Sequence, residues 1–255
     1  IYLKILNNSL SYSFLSIVWG LDALKIFEIT VKAGNHDRLL CPVYADIRFD
    51  KNYEHPYAVM VEAESGRKVP VQLRKKGIDL IEVCWIIDNL AKGDERCYQL
   101  KLIEEFKETT NNLGVNLKIE GNERVSIKIK GNLLTNYRFS GRGLIRPYFY
   151  PVIGPYGVSV TRNYPMVKNF PGESRDHPHH RSLWTAHGNV NGVDDWSELP
   201  GCGRIVHKAF KSMVEGDVYG ELVAVNDWVS SDGSRVLLEE REIKAYNIDG
   251  GFRMM

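Results

Sequence analysis

Through much of this chain apolar residues recur at every second position, which is the period of a strand with one buried face. Within residues 25–33, Phe27, Ile29, Val31 and Ala33 fall on one face, and Glu28, Thr30 and Lys32 on the other. Val69, Val71 and Leu73 alternate with Lys68, Gln72 and Arg74, and Tyr98, Leu100 and Leu102 with Gln99 and Lys101. Val115, Leu117 and Ile119 are followed by Val125, Ile127 and Ile129, and Glu120-Gly121-Asn122-Glu123 between them reads as a hairpin turn. Residues 79–87 form a more continuous apolar run, the pattern of a buried central strand. Further strands are expected over residues 204–210, 218–228 and 236–246. Helical periodicity is weak, and only residues 102–109 suggest one or two helical turns. The expected fold is all-β, a large antiparallel β-sandwich, with the galactose-mutarotase-like supersandwich as a candidate form.

Charge and cysteine usage narrow the function classes. Lys+Arg and Asp+Glu number 33 and 32, leaving a net charge of +1, so no basic groove for nucleic acid is suggested. Cys41, Cys84, Cys97 and Cys202 show no C-x-x-C spacing, which argues against a thiolate zinc knuckle, and free thiols are the expectation. Residues 10–21 are apolar but too short for a membrane span, which needs about 20 apolar residues. They fit the apolar core of a secretion-signal remnant, and residues 1–24 are otherwise unassigned. A soluble body is expected, in the cytoplasm, in the periplasm or secreted. There is no G-x-S-x-G elbow, no P-loop and no G-x-G-x-x-G opening a helix, so nucleotide cofactors have no support.

Residues 141–203 break the alternation. They hold most of the prolines and four of the seven histidines, together with Tyr148, Phe149, Tyr150, Tyr156, Tyr164, Trp184 and Trp196. A long, aromatic-rich irregular segment on a β scaffold is where a site is expected. Its centre is Asp176-His177-Pro178-His179-His180-Arg181. Pro178 biases His177 towards an extended conformation. An extended run would put His177 and His179 on one side and His180 on the other. Three imidazoles beside a carboxylate suit metal binding, proton transfer near neutral pH, or hydrogen bonding to a polar ligand. Structural hydrogen bonding is the bland alternative. A metal site would use His177 and His179 with a third ligand from His187, His207 or Glu198. No cofactor is required by the sequence, and a divalent metal is the candidate.

The neighbouring run from His187 to Trp196 offers His187, Asn191 and Asp194 beside Trp196, either as a rigid polar loop or as a decorated hairpin connection. It lacks the spacing of an EF-hand calcium loop. Arg146, Arg162 and Arg181 could hold a carboxylate or vicinal hydroxyls, or form surface ion pairs. Tyr148, Tyr150, Trp184 and Trp196 could stack on sugar faces, or pack into the core. Glu239, Glu240 and Glu242 lie on an expected strand, with Glu240 and Glu242 on one face and Glu239 opposite. They read either as solvated charges or as one acid/base partner.

Four pieces in series carry a family resemblance. They are Arg146-Pro147-Tyr148-Phe149-Tyr150-Pro151, Gly154-Pro155-Tyr156-Gly157-Val158, the histidine run and the His187–Trp196 run, with Ile29-Thr30-Val31-Lys32-Ala33-Gly34-Asn35-His36-Asp37-Arg38 upstream. Together they resemble the bacterial family of unknown function labelled "methane oxygenase PmoA-like", over roughly residues 25–255. The label is not literal, because a membrane oxygenase subunit spans the bilayer and no segment here does. The resemblance implies a single soluble, β-rich domain over 25–255, found among sugar-oxidising dehydrogenases and sugar isomerase-like proteins. Family members run on past Gly251-Phe252-Arg253-Met254-Met255, so truncation at the C-terminus is expected. The small-molecule partner expected is a carbohydrate, a sugar or an oxidised glycoside. His177, His179 and His180 are the candidate catalytic groups. Arg146, Tyr148, Arg181, Trp184, His187, Asn191, Asp194 and Trp196 are the candidate substrate contacts. A metal-dependent enzyme and a non-catalytic sugar-binding module are the alternatives.

Overall fold

The computed structural model describes residues 2–7, 25–48, 57–103, 114–248 and 253–254. Residues 10–21 lie outside the described residues, as does all of 102–109 beyond the last two residues of a strand. Every regular element among the described residues is a strand, so none of them is a helix long and apolar enough to cross a membrane. The chain divides into two compact units, Ile1–Asn111 and Asn112–Met255.

The first unit contains β1 (Tyr2–Asn7), β2 (Lys25–Lys32), β3 (Arg38–Arg48), β4 (Tyr57–Glu62), β5 (Lys68–Val69), β6 (Val71–Lys75), β7 (Leu80–Leu90) and β8 (Glu95–Ile103). They form two antiparallel sheets, ordered β1-β2-β8-β4-β5 and β3-β7-β6. Phe27, Ile29 and Val31 from the first sheet and Val83, Trp85 and Ile87 from the second meet in one core. The alternating faces read from the sequence are therefore the inner faces of a sandwich. As its continuous apolar pattern suggests, β7 is the central strand of its sheet.

One alternating run is two strands. Val69 pairs with Met60 in the larger sheet, whereas Val71 pairs with Trp85 in the smaller. Pro70 separates them because it has no N–H for a ladder. The apolar period survives the change of sheet because both sheets face the same core.

The second unit contains β9 (Val115–Glu120), β10 (Arg124–Ile129), β11 (Asn132–Arg138), β12 (Tyr148–Val152), β13 (Leu183–Trp184), β14 (Arg204–Val214), β15 (Tyr219–Val229), β16 (Arg235–Tyr246) and β17 (Arg253–Met254). The sheets run β13-β12-β11-β10-β9 and β14-β15-β16-β17. The turn between β9 and β10 pairs Glu120 with Arg124, and Gly121 supplies a φ of 60°. Val125, Ile127, Tyr137 and Phe149 from one sheet pack with Leu222, Ala224, Ile243 and Ala245 from the other. Gly220 lets β15 close on β9. A Cβ there would come within 2.5 Å of Leu117 Cδ1 and 2.6 Å of Val115 Cγ1. Gly220→Ala is therefore expected to cost about 1–3 kcal/mol through overpacking, read as a lower urea midpoint. All four cysteines are free thiols.

Candidate functional site

The site is built on the β12–β13 edge of the second unit. Tyr148 faces Trp184 across the two strands, and Phe149 faces Leu183. Phe149 turns into the core, 5.0 Å from the Tyr137 ring centroid, which leaves Tyr148 and Trp184 on the opposite face. The irregular segment that lies between and after these strands is secured by side chain to backbone bonds rather than by a ladder. The Glu173 carboxylate accepts from the backbone N–H groups of Asn163 (2.7 Å) and Tyr164 (2.9 Å). Arg162 donates to the carbonyls of Asp176 (2.8 Å) and His177 (2.7 Å) and to the Asp176 carboxylate (3.0 Å).

That Arg162 clamp overturns the extended geometry expected of the histidine run. His177 has a φ of 48°, and the His180 N–H donates to the His177 carbonyl at 3.0 Å. The run is a tight turn, and its three imidazoles come together instead of alternating. Centroids of His177 and His180 lie 4.9 Å apart in a stacked pair, and His179 sits 4.4 Å from His180. Trp184 and Trp196 join them, 4.9 Å from each other and 5.6 and 5.7 Å from His180. The assembly is open to solvent, since Trp196 is 42% exposed and the His177 side chain 56%.

Each imidazole has a different hydrogen-bond state. His177 Nδ1 is 2.7 Å from the Asp176 carboxylate. Hydrogen bonds from Ser174, then from His177 and Arg162, hold that carboxyl far below the ordinary range. The Trp196 indole N–H donates to His179 Nε2 at 3.1 Å, so neutral His179 carries its proton on Nδ1. Among the described residues, neither ring nitrogen of His180 has a hydrogen-bond partner.

Burial lowers the His179 pKa, and the neighbouring His180, His177 and Arg146 act in the same direction. A histidine with a depressed folded pKa contributes its stability fully above the unfolded value of about 6.5, and that contribution is lost as pH falls towards the folded value. Protonated His179 cannot accept from Trp196. The Trp196 indole proton is therefore expected to be protected from exchange at pH 7 and to lose protection as pH falls through the lowered His179 pKa, below the ordinary histidine value of about 6.5. Indole NMR of Trp196 across pH 5–8 checks this. His179→Gln should remove the pH dependence, and a flat wild-type profile would contradict the bond.

Arg146 is 1% exposed and lies against this cluster. It donates to the carbonyls of Asp195 and Ser197, each at 3.0 Å, and its guanidinium sits 4.9 Å from the Trp184 ring centroid. Burial lowers its pKa, against the opposing pull of Glu198 at 3.5 Å. Arg181 grips Glu198 with two bonds of 2.7 Å, and this pairing raises the Arg181 pKa. Tyr148, 7% exposed, also faces Arg181.

The remaining candidates serve the local turns. His187 is exposed, and its Nδ1 accepts from the Asn189 N–H at 3.3 Å. Asn191 and Gly192, with φ of 51° and 86°, form the two-residue turn between Val190 and Val193. Asp194 accepts from the backbone N–H groups of Trp196 (2.8 Å) and Ser197 (3.1 Å) and from the Ser197 hydroxyl, which sets the Trp196 ring in place. Hydrogen bonds from Ser197 and Trp196 depress the Asp194 pKa.

Among the described residues, none of the third ligands expected for a metal at His177 and His179 is brought together with them. His187 is tied into its own turn, Glu198 is bound by arginines, and His207 packs between Phe139 and Phe210. Among the described residues no group of three His, Cys, Asp or Glu side chains is placed to hold a metal ion.

Two acidic residues were not singled out from the sequence. Glu173 organises the loop as described. Asp195 is 1% exposed, and among the described residues neither carboxylate oxygen has a hydrogen-bond partner. Burial raises its pKa, with Arg146 opposing. A Cβ on Gly203 would collide with the Asp195 carboxylate, so glycine is required there. Adjacency to Asp194 and Trp196 was the only signal for Asp195.

Residues 124–255, just over half of the 255-residue chain, match the family described as "Family of unknown function (DUF6807)". The match takes in the whole imidazole–indole cluster. No curated protein matches the chain.

Proposed function

As the chain belongs to this DUF6807 family of unknown function, we propose that the imidazole–indole cluster binds and processes a carbohydrate, a sugar or an oxidised glycoside. The observation that carries this reading is the convergence of His177, His179 and His180 with Trp184 and Trp196 on one open shelf. A sugar ring has an apolar C–H face and a rim of hydroxyls. Indole rings suit the first, and imidazole and carboxylate groups suit the second. The likeness of the chain to the soluble PmoA-like proteins, with their sugar-metabolising neighbours, supports the same substrate class.

Roles within the cluster follow from which nitrogens are already engaged. His177 is bound to Asp176 and His179 accepts from Trp196, so both are positioned groups. His180 is left as the proton carrier. Such a base can remove a proton from the carbon beside a sugar ketone, the C–H electron pair forming a C=C bond as the neighbouring C–O bond breaks, and then deliver that proton to the departing oxygen. Arg146, Arg181 and Glu198 hold the shelf, and Tyr148 backs it.

The test is turnover by the full chain of plain glycosides and of their 3-keto counterparts. Turnover of a 3-keto glycoside that disappears in His180→Gln supports the proposal. Saturable binding without turnover of any glycoside would leave a sugar-binding module and remove the catalytic role.

A further inference from the structure

Asn191-Gly192 is the one Asn-Gly step in the chain, and it forms the tip of the hairpin that leads into Trp196. Its two residues have φ of 51° and 86°, and both are exposed. The arms close by two backbone bonds. The Val190 N–H donates to the Val193 carbonyl at 2.8 Å, and the Val193 N–H to the Val190 carbonyl at 3.0 Å. A Cβ built on Gly192 would meet no atom within 4 Å, so the Gly192 Cα is open on that side. Further along, the Asp195 N–H donates to the His187 carbonyl at 3.2 Å, and Asp194 accepts from the N–H groups of Trp196 and Ser197.

An exposed asparagine followed by glycine can cyclise, because glycine has no side chain to hinder its own nitrogen. The Gly192 nitrogen gives up its proton and bonds to Asn191 Cγ. The Cγ–Nδ2 bond breaks, and the amide nitrogen leaves as ammonia with a proton from solvent. Water then opens the five-membered imide at either carbonyl, giving aspartate or isoaspartate. Water is the only co-reactant, and nothing is oxidised or reduced. The attacking nitrogen is engaged in this structure, since the Gly192 N–H donates to Asn189 Oδ1 at 2.8 Å. A backbone N–H can only donate, so the oxygen of the Asn189 amide must face it. A nitrogen whose proton is held in this way is a weaker nucleophile. Asn189 itself precedes the β-branched Val190, which crowds the equivalent attack on its own side chain.

We propose that Asn191 is a modification site, converted by imide formation to aspartate and isoaspartate, that Asn189 restrains the reaction, and that the isoaspartyl product releases Trp196 from the shelf. The release follows from backbone length. Isoaspartate adds one methylene carbon to the main chain, so Val193 cannot keep both of its bonds to Val190 across a two-residue turn. Asp194 comes next in the chain. Its bonds to the backbone of Trp196 and Ser197 place the indole that donates to His179. Aspartate leaves the main chain at its normal length and tolerates the left-handed conformation, so it preserves the turn. The inference concerns the geometry of the shelf and stands whatever the shelf binds.

The test is ageing of the folded full chain at pH 8 in 18O-labelled water, with the tryptic peptide 182–204 read by mass spectrometry and electron-transfer fragmentation. Label is expected to enter at Asn191 in the wild type. Asn189→Ala is expected to take it up roughly tenfold faster, the factor carried by one neutral hydrogen bond. Asn189→Asp keeps an acceptor and should stay near the wild-type rate. A second Trp196 indole NMR signal is expected to grow in with the isoaspartyl peptide, whereas Asn191→Asp should keep the wild-type signal. An Asn191 that stays unlabelled in folded Asn189→Ala, while the urea-unfolded chain takes up label, would overturn the proposal. Equal rates in wild type and Asn189→Ala would also overturn it, as would isoaspartyl protein with an unmoved Trp196 indole.

Discussion

Arg146→Leu is expected to destabilise the second unit by about 3 kcal/mol and to disorder the shelf around Trp196. The magnitude comes from the backbone. Two carbonyls, those of Asp195 and Ser197, lose their donor, at about 1–3 kcal/mol for each buried group left unpaired. Glu198 keeps its bidentate partner Arg181, so its charge is not abandoned. Arg146→Lys should recover little. One ammonium cannot span both carbonyls while lying over the Trp184 ring. Urea unfolding followed by tryptophan fluorescence reads the loss. An Arg146→Leu protein with the wild-type midpoint would show that these bonds do not hold the loop.

Turnover in His180→Gln is expected to fall about 10²–10⁴-fold, the usual share of a general acid–base group. Folding should change little, because among the described residues the His180 side chain makes ring contacts and no hydrogen bond, and its backbone bond to His177 survives the substitution. Comparison with Trp196→Phe separates proton transfer from positioning. That variant keeps an aromatic face but removes the donor to His179 Nε2. It should raise the His179 pKa and move the pH profile of turnover, leaving the His180 step in place. Full activity in His180→Gln would place the proton carrier elsewhere.

The strands that the sequence made legible are those with unbroken alternation. β2, β8, β9, β10, β14, β15 and β16 lie where apolar periodicity placed them, within a few residues. β3 was not evident because Leu39-Leu40-Cys41-Pro42 interrupts the period, and Leu40 adopts a φ of 47°. Sheet partners were not legible at all. β2 lies beside β8, far along the chain, and no local pattern records that choice. Pro70 could have signalled the change of sheet between Val69 and Val71.

At the site, residue types were legible and relations were not. The histidine run and the two tryptophans stood out by chemistry. Their convergence depends on Arg162 gripping residues 14 and 15 positions away, and on Trp196 reaching His179 across 17. The local rule that a residue before proline stays extended was overridden by that clamp. Asn191-Gly192 was readable as a turn, and it is one. The opposition of Glu239 to Glu240 and Glu242 was also readable from parity. That Glu239 faces inward follows from its sharing a face with Ile243 and Ala245.

The central claim is that the imidazole–indole shelf is a carbohydrate site. It is tested most directly by titrating the full chain with methyl β-D-glucopyranoside and its 3-keto counterpart while following the indole signals of Trp184 and Trp196 and the imidazole signals of His180. The account predicts saturable shifts of all three with at least one of the two sugars, lost in Trp184→Ala. Spectra in which neither sugar moves these residues at saturating concentration would contradict it.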